Sequence, residues 1–305
     1  MKDIIINKRY RVDRKIGEGG YGLVYSGVDM KSKQEVAIKL MLLKRGPTVL
    51  QNEFDMCQAL AGGIGIPQAL WLGQQDNYHV LVCDLLGPSL EDLFNYCDRR
   101  FSLKTILLIV DQVLSRLEYI HSKGILHCDV KPDNFLMGVG RMGNTIYAID
   151  FGVAIKANAQ GEKLRRDFVG TRQFASMNTH EGWFPSWRDD LESLGYMLVY
   201  FADGSLPWDI LPSVGYGRSN EKMLDEKDNR PPHFLCSHLH KEFRVYLEYA
   251  QELKFKTKPD YEYLRTLFRN LFTSQGFKYD NVFDWTEKLY HEMRSTTDES
   301  KATAP

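Results

Sequence analysis

The sequence predicts an α+β chain with two lobes, a small β-rich N-terminal lobe with one main helix and a larger, mostly α-helical C-terminal lobe. In the first lobe, short runs of β-branched and aromatic residues alternate with glycine and polar turns. One stretch there, Thr48 to Leu60, has apolar residues at helical spacing, and such spacing recurs in long segments of the second lobe. We expect an N-terminal extension at about 1–9, the lobes at about 10–84 and 89–290, a hinge at 84–88, and a flexible tail at 291–305.

Composition limits the classes of function. Of the 305 residues, 43% are hydrophobic and 26% are charged, an ordinary balance for a folded chain. The formal net charge of −1 gives no electrostatic reason to expect nucleic acid as a partner. No segment approaches the roughly 18 apolar residues of a membrane span. The five scattered cysteines are typical of reduced thiols in an intracellular protein, so we expect a cytoplasmic or nuclear protein. As a separate expectation, the protein is a monomer.

Three strands are predicted between Tyr10 and about Met41, and the turn after the first carries Gly17-Glu18-Gly19-Gly20-Tyr21-Gly22. Such a glycine pattern is weak evidence alone. Here it precedes a second strand instead of opening a helix, which disfavours a dinucleotide site. Its glycines would let backbone amides approach nucleotide phosphates, and the flanking Ile16 and Val24 would cover the base.

The third strand carries Val36-Ala37-Ile38-Lys39. A lysine on a strand usually faces solvent, but after a glycine loop and between apolar residues this one is better explained as a phosphate-binding lysine. Its ammonium needs a carboxylate partner. The helix from Thr48 to Leu60 offers Glu53, while its other acid, Asp55, points away from the Glu53 face. Glu53 is therefore the favoured partner.

Two further strands, Ala69 to Gly73 and Tyr78 to Asp84, are predicted to close the first lobe, and Asp84 to Pro88 forms the hinge. Extended backbone there can hydrogen-bond the edge of an adenine. The small side chain of Cys83 would leave room behind the nucleotide, and this does not conflict with a buried structural thiol. The predicted nucleotide-contacting residues are Ile16, Gly17, Glu18, Gly19, Gly20, Tyr21, Gly22, Val24, Ala37, Lys39, Cys83, Asp84, Leu86, Leu136 and Ile149.

The segment 127–134 puts a carboxylate, an amine and an amide into one loop, and Asp150-Phe151-Gly152 follows. Phosphoryl transfer from a nucleotide needs such a set of groups. Asp129 would accept the proton of the attacking hydroxyl, and Lys131 would lie against the charge of the transferred phosphate. A polar loop between two strands is the alternative, but these groups rarely meet at this spacing by chance. The side chains that would hold magnesium are Asn134 and Asp150.

The second lobe is predicted to contain five main helices and one hairpin. Asp190, near the start of the second of these helices, is expected to cap the backbone of the 127–134 loop. Thr171 follows a basic segment and can hydrogen-bond Asp129 and Lys131. The predicted helices are Ser102 to Ser122, Ser186 to Asp203, Ser219 to Lys227, His238 to Leu253 and Tyr261 to Phe272, and the hairpin strands are Phe135 to Met137 and Thr145 to Ile149.

Several longer blocks are similar to the casein kinase 1 family of protein serine/threonine kinases, over roughly residues 8 to 290. They include Gly87-Pro88-Ser89-Leu90-Glu91-Asp92-Leu93-Phe94, Lys131-Pro132-Asp133-Asn134-Phe135-Leu136-Met137-Gly138, Arg188-Asp189-Asp190-Leu191-Glu192-Ser193-Leu194-Gly195-Tyr196 and Gly204-Ser205-Leu206-Pro207-Trp208. Ser176-Met177-Asn178 stands where most kinases carry Ala-Pro-Glu.

The resemblance implies that 10–290 is a bilobal protein-kinase domain that uses ATP and Mg²⁺ and phosphorylates serine or threonine of protein substrates. Lys131, two residues after the base, fits that choice of acceptor over tyrosine. Family members tend to be active without phosphorylation of the activation loop. Cys128 agrees with this, because no arginine beside the base is available to receive a loop phosphate.

The chain also departs from the family. Cys128 replaces an arginine, and the loop after Asp150 looks several residues shorter. The family binds an anion, typically a phosphoserine upstream of the target, through basic residues at two places. Here Gln173 occupies one arginine position, with Arg172 one residue early, and the second basic run retains only Arg218. We therefore expect a weakened or altered preference for pre-phosphorylated substrates, unless Arg172 and Arg218 supply the site.

Two alternatives remain open. A pseudokinase scaffold that binds nucleotide or partners without turnover is supported only by Cys128. A small-molecule or lipid kinase on the same fold is disfavoured by the family-specific blocks. The expected substrates remain serine- or threonine-bearing proteins, and acidic or already phosphorylated proteins can be among them.

Overall fold

A computed structural model describes residues 4–19, 22–45, 48–157, 167–210 and 216–302. Its N-terminal part is one six-stranded antiparallel sheet in the order β1-β2-β3-β4-β6-β5, with a single long helix. The elements of this lobe are β1 (Ile5–Ile6), β2 (Tyr10–Gly19), β3 (Gly22–Asp29), β4 (Glu35–Leu42), α1 (Thr48–Ala59), β5 (Ala69–Gln75) and β6 (Tyr78–Asp84).

The C-terminal part is helical and carries four short strands in two antiparallel pairs. The helices are α2 (Leu90–Tyr96), α3 (Leu103–Ser122), α4 (Met177–His180), α5 (Trp187–Asp203), α6 (Tyr216–Asp228), α7 (Pro232–Leu235), α8 (Lys241–Glu252), α9 (Tyr261–Ser274) and α10 (Asp284–Ala302). The strands are β7 (Ile125–Leu126), β8 (Phe135–Met137), β9 (Ile146–Ala148) and β10 (Ile155–Lys156). This β-rich first part and helical second part confirm the predicted bilobal α+β class.

Strand alternation divides the N-terminal sheet into two faces. Ile38, Val80 and Val82 are buried in a small cluster on one face. Leu81, between the two valines, belongs to the main core on the other face, where it joins Leu50 of α1. Because successive side chains of a strand point to opposite faces, neighbours of Ile38 on β4 face α1 and the space below the sheet. This alternation positions Lys39.

The core of the second lobe is built on α3 and α5. Ser102 caps α3 by accepting a hydrogen bond from the Thr105 N–H at 3.2 Å, as its sequence position predicts. Nearly all residues of α5 are buried, so it runs through the middle of the lobe instead of along its surface. These two helices support the short loops that join β7, β8 and β9.

Most predicted elements are present, with differences at chain positions where local patterns are weak. The short helices α4 and α7 and the strands β1, β7 and β10 were not predicted, because two to four residues carry no periodic signal. Helix α10, from Asp284 to Ala302, was not predicted either. It covers most of the segment that was expected as a flexible tail, and the flexibility of 291–305 stays a prediction.

Candidate active site

Lys39 lies at the centre of a buried charge cluster beneath the sheet. Its Nζ is 2.6 Å from Oε2 of Glu53 on α1 and 3.2 Å from Oδ1 of Asp150. Burial alone would lower the pKa of Lys39, but the two carboxylates more than offset it and raise that pKa. Burial raises the pKa of Glu53, whereas the Lys39 ammonium lowers that of Asp150. The expected choice of Glu53 over Asp55 agrees with this contact.

A second cluster surrounds Asp129. The Thr171 hydroxyl donates to Asp129 Oδ1 at 2.7 Å, and Lys131 Nζ lies 3.0 Å from Asp129 Oδ2 and 2.9 Å from Thr171 Oγ1. Asn134 Nδ2 donates to the Asp129 carbonyl at 2.8 Å and to its Oδ2 at 3.1 Å. Burial opposes the charge of Lys131, but Asp129 raises the pKa of that amine. The carboxylate of Asp129 is therefore fixed by three neighbouring side chains.

Asp190 of α5 holds the loop that carries Asp129. Its carboxylate accepts from the His127 N–H at 2.8 Å and the Cys128 N–H at 2.9 Å, which confirms the predicted capping of this loop. A third bond, to His121 Nε2 at 2.7 Å, comes from α3. Burial opposes the Asp190 charge, but the bond to His121 keeps the pKa of this carboxyl below its usual value. These bonds support Cys128 in a left-handed conformation, with φ 64°.

The turn at Asp150 is held from two sides. Asp150 itself is left-handed, with φ 60°, and Phe151 after it is fully buried against His127, their ring centroids 5.1 Å apart. From α1, Asn52 Nδ2 donates to three carbonyls of the turn at 2.8 to 3.1 Å. An adjacent link joins the two loops, since the Ile149 N–H donates to the Asn134 carbonyl at 2.9 Å.

Two glycines are required by close backbone approaches. Gly22, the last glycine of the predicted phosphate loop, has φ 146°, and a Cβ there would lie 2.0 Å from the Leu40 carbonyl oxygen. Gly170 has φ 98°, and its Cβ would lie 2.5 Å from the Cys128 carbonyl oxygen. Both positions exclude other residues on steric grounds. Gly170 thereby lets Thr171 reach the loop of Asp129.

One cleft of about 920 Å³ is bordered by residues of both lobes, and it has the size expected of a small-molecule site. Asp129 and Thr171 are not among the described residues that line it; Lys131, which contacts both, connects their cluster to the cleft. Lys39, Glu53, Lys131, Asn134 and Asp150 all border it. Of the predicted nucleotide-contacting residues, Gly20 and Tyr21 lie outside the described residues, and Gly19 is described only as the last residue of β2. The others all line it: Ile16, Gly17, Glu18, Gly22, Val24, Ala37, Lys39, Cys83, Asp84, Leu86, Leu136 and Ile149.

The cleft residues fit a nucleotide with a hard divalent cation. Asn134 uses its amide nitrogen on Asp129, which leaves its amide oxygen available as a ligand, and Asp150 lines the same cleft. Oxygen ligands from one or two side chains, completed by phosphate oxygens, are what Mg²⁺ prefers. No group of three or more His, Cys, Asp or Glu in the described part of the chain is arranged to hold a metal ion, so a cation in the cleft would depend on Asn134, Asp150 and the phosphate oxygens.

A family model of the protein kinase domain matches residues 10–242. This chain belongs to the protein kinase family. Phosphoryl transfer from ATP with a divalent metal, onto protein substrates, is the general activity of such kinases. None of the helices in the described ranges of this kinase is long and apolar enough to cross a membrane.

Other predicted residues of the kinase lie away from the cleft. The Arg172 guanidinium carbon is 5.2 Å from the ring centroid of Phe168, and the Gln173 carbonyl accepts from Trp208 Nε1 at 2.8 Å. Arg218 is in α6, but its side chain is outside the described part, so a joint anion site of Arg172 and Arg218 stays a prediction.

Sequence reasoning missed several residues that support the site. Asn52 and His121 are polar side chains within amphipathic helices, where periodicity alone predicts only packing or solvent exposure. Ser89 and Asp92 border the cleft, and their reciprocal bonds at 3.0 Å begin α2. The Ser-x-x-Asp spacing there could have revealed the cap, though not its position at the cleft.

Proposed function

We propose that this kinase is a serine/threonine kinase of the casein kinase 1 type, which transfers the γ-phosphate of ATP to protein substrates. The observation that carries the proposal is the contact set of Asp129 with Lys131 and Thr171, at the edge of a cleft that also holds Lys39 and Asp150. One loop thus offers a proton acceptor and a cation, while the cleft offers a phosphate-binding ammonium and metal ligands.

In this mechanism Asp129 is the base. Its Oδ1 accepts a hydroxyl hydrogen bond from Thr171, so an acceptor hydroxyl within reach of the same carboxylate could pass its proton there. Lys131, held between Asp129 and Thr171, would stabilise charge on the transferred group. Asn134 and Asp150 would hold Mg²⁺, which would neutralise part of the phosphate charge.

At the other end of the cleft, Lys39 would position the phosphates while Glu53 fixes its ammonium. The base of ATP would lie between Ala37 and Leu136, with the backbone of Asp84 and Leu86 at its edge. Ser89 and Asp92 line the same cleft and are suited to hydroxyl groups of the ribose.

Activity without loop phosphorylation is part of the proposal. Phosphorylation often orders a kinase loop by pairing with an arginine beside the base, and Cys128 occupies that position. Here hydrogen bonds from Asn52 to the Asp150 turn and from the 127–134 loop to Asp190 hold the site without a phosphate. Cys128 also supports the rival function, a pseudokinase scaffold that binds nucleotide without transfer.

An assay of phosphate transfer that compares the wild type with the isosteric variant Asp129→Asn distinguishes an active kinase from a scaffold. Purified full-length chain is incubated with radiolabelled ATP, Mg²⁺ and either casein or a degenerate peptide library, and compared with Asp129→Asn. We expect label on serine and threonine, lost with the variant by about 10²-fold or more because the base is removed. Equal incorporation by both proteins would identify contamination and favour the scaffold. Label on lipid or small molecules alone would favour that alternative class.

We also propose that preference for primed substrates is weakened. The Arg172 side chain packs on Phe168, and the neighbouring Gln173 carries no charge for a phosphoserine. Peptide pairs that differ only by an upstream phosphoserine would measure this as a ratio of kcat/KM values. A ratio near one is expected, and a large preference for the primed peptide would contradict the proposal.

Cellular placement in the cytoplasm or nucleus, and a monomeric state, complete the proposal. All five cysteines are free thiols, which suits a reducing compartment. Fractionation of cells and light scattering of the purified chain would test the two statements.

A further inference from the structure

A fully buried lysine lies beneath the segment that follows Thr171. Lys227 projects from α6 and is only 2% exposed. Its Nζ donates to the Ala175 carbonyl at 2.6 Å and the Arg172 carbonyl at 3.1 Å, and lies 3.2 Å from Nε2 of His180. Among the described residues it forms no ion pair with a carboxylate.

The acceptors around Lys227 match an ammonium group. Three N–H donors meet two carbonyl oxygens and one ring nitrogen, and the charge also lies 4.6 and 5.0 Å from the ring centroids of Tyr196 and Trp208. Glu192 and Asp209 are near enough to act on this amine, but neither forms an ion pair with it among the described residues. Burial of a charge without a direct ion pair is unfavourable, so a purely structural position would be served better by an apolar side chain.

His180 is held in the form that accepts from Lys227. Its Nδ1 lies 2.6 Å from Asn220 Oδ1, and Asn220 Nδ2 donates to the His180 carbonyl at 2.8 Å. Nδ1 faces an amide oxygen and donates to it, so Nε2 of the neutral ring is an acceptor for Lys227. The Arg172 carbonyl oxygen, 3.1 Å from the same Nε2, then accepts from Lys227 and not from the ring. Burial and the adjacent Lys227 charge lower the pKa of His180 to about 3, so it stays neutral. Helix α6 therefore holds both ends of the segment 172–180.

The segment 172–180 is connected directly to Thr171 and Asp129, where the hydroxyl of the substrate is proposed to bind. The Ala175 N–H donates to the Thr171 carbonyl at 3.0 Å, within the turn whose Ala175 carbonyl is held by Lys227. The Thr171 hydroxyl in turn donates to Asp129. A continuous set of hydrogen bonds thus runs from Lys227 through one tight turn to the proposed base.

We propose that Lys227 is a positioning residue, which fixes the segment 172–180 and thereby the acceptor side of the site from α6. This rests on the proposed function of Asp129 and Thr171. Lys227 touches no reacting atom. Its effect is expected on use of the protein substrate and not on ATP binding, because none of its contacts borders the cleft.

The test compares the full-length Lys227→Met variant with Lys222→Met, which changes an exposed lysine on the same helix. Methionine keeps the length of the side chain and suits the aromatic surroundings, so the fold is expected to persist. We expect kcat/KM for a protein substrate to fall about 10- to 100-fold, since small misplacements near the chemistry have such effects. The KM for ATP should stay within about twofold of wild type.

Hydrogen exchange gives a readout that does not depend on activity. In Lys227→Met, amides of 172–180 should exchange faster while those of α5 and α8 stay unchanged, and Lys222→Met should match wild type. Asn220→Ala should give a smaller change in the same direction. Unchanged kcat/KM and exchange would overturn the proposal, as would a loosening spread over the whole lobe. If wild type transfers no phosphate, the proposed function fails, while exchange still decides whether Lys227 fixes the segment.

Discussion

Removing the amide of Asn52 should weaken the turn at Asp150, the proposed metal ligand, without unfolding the kinase. Its Nδ2 is shared among the carbonyls of Phe151, Gly152 and Ala154, at 3.1, 3.1 and 2.8 Å. Two N–H donors are therefore lost in Asn52→Ala. A buried acceptor left without a donor costs about 1–3 kcal/mol, and water entering the space of the missing side chain would recover part of this. We therefore expect the turn at Asp150, in the conformation observed, to be destabilised by about 1.5–3 kcal/mol.

That loss acts on a turn that is already strained. Asp150 has φ 60°, a conformation that costs on the order of 1–3 kcal/mol and persists only while its surroundings enforce it. A shift of about 1.5–3 kcal/mol lowers the equilibrium ratio of the observed turn to its opened forms roughly 10- to 150-fold. We therefore expect kcat to fall by about tenfold or more and the Mg²⁺ concentration for half-maximal rate to rise.

Steady-state kinetics with Mg²⁺ titration is the assay, with two comparison variants. Asn52→Asp keeps the shape but places carboxylate oxygens against the carbonyls, so its loss should exceed that of Asn52→Ala. Gln51→Ala removes a neighbouring amide whose bond, to Asp55 at 2.9 Å, lies on the surface, and it should behave as wild type. Wild-type kcat and Mg²⁺ dependence in Asn52→Asp would refute the reasoning.

Three further predictions concern other parts of the site. Glu53→Gln removes one of the two carboxylates at Lys39, so the KM for ATP should rise roughly tenfold or more; an unchanged KM would contradict the pair's role. Gly170→Ala should lower kcat, because its Cβ would meet the Cys128 carbonyl; a fully active variant with the native fold would count against the close approach. Burial lowers the pKa of Lys227 to about 7, below its value in the unfolded chain. The stability linked to its neutral form is present above about pH 10 and lost as the pH falls through about 7. The Tm of Lys227→Met relative to wild type should therefore increase as the pH is lowered over this range, and a pH-independent difference in scanning calorimetry would oppose the shift.

Much of this fold could be predicted because its signals are local. Helices α3 and α5 have long apolar periodicity, and strands β2 to β6 are separated by clear turns, so their presence follows from neighbouring residues. The short helices and the helical end of the chain were missed. In those segments packing against distant residues, such as Lys288 donating to the Tyr96 carbonyl at 2.6 Å, adds to weak local preference.

Some residues of the candidate site could likewise be predicted from the sequence and others could not. Asp129, Lys131 and Asn134 share one loop, so their spacing in the chain already limits their separation in space. The choice of Glu53 for Lys39 was accessible too, because helical geometry separates its face from that of Asp55. Lys227 could not be found, since a lysine in a polar helix is ordinarily solvated and nothing local shows that it is buried.

The order of residues along the chain thus determined the two-lobed class and the chemical groups available for phosphoryl transfer. The tertiary structure alone decided which distant polar groups hold those chemical groups in place, as Asn52 does for the Asp150 turn and Lys227 for the segment after Thr171. The physical reason is that secondary structure follows periodic preferences of neighbouring residues, whereas burial of a polar group depends on what the remainder of the chain brings against it.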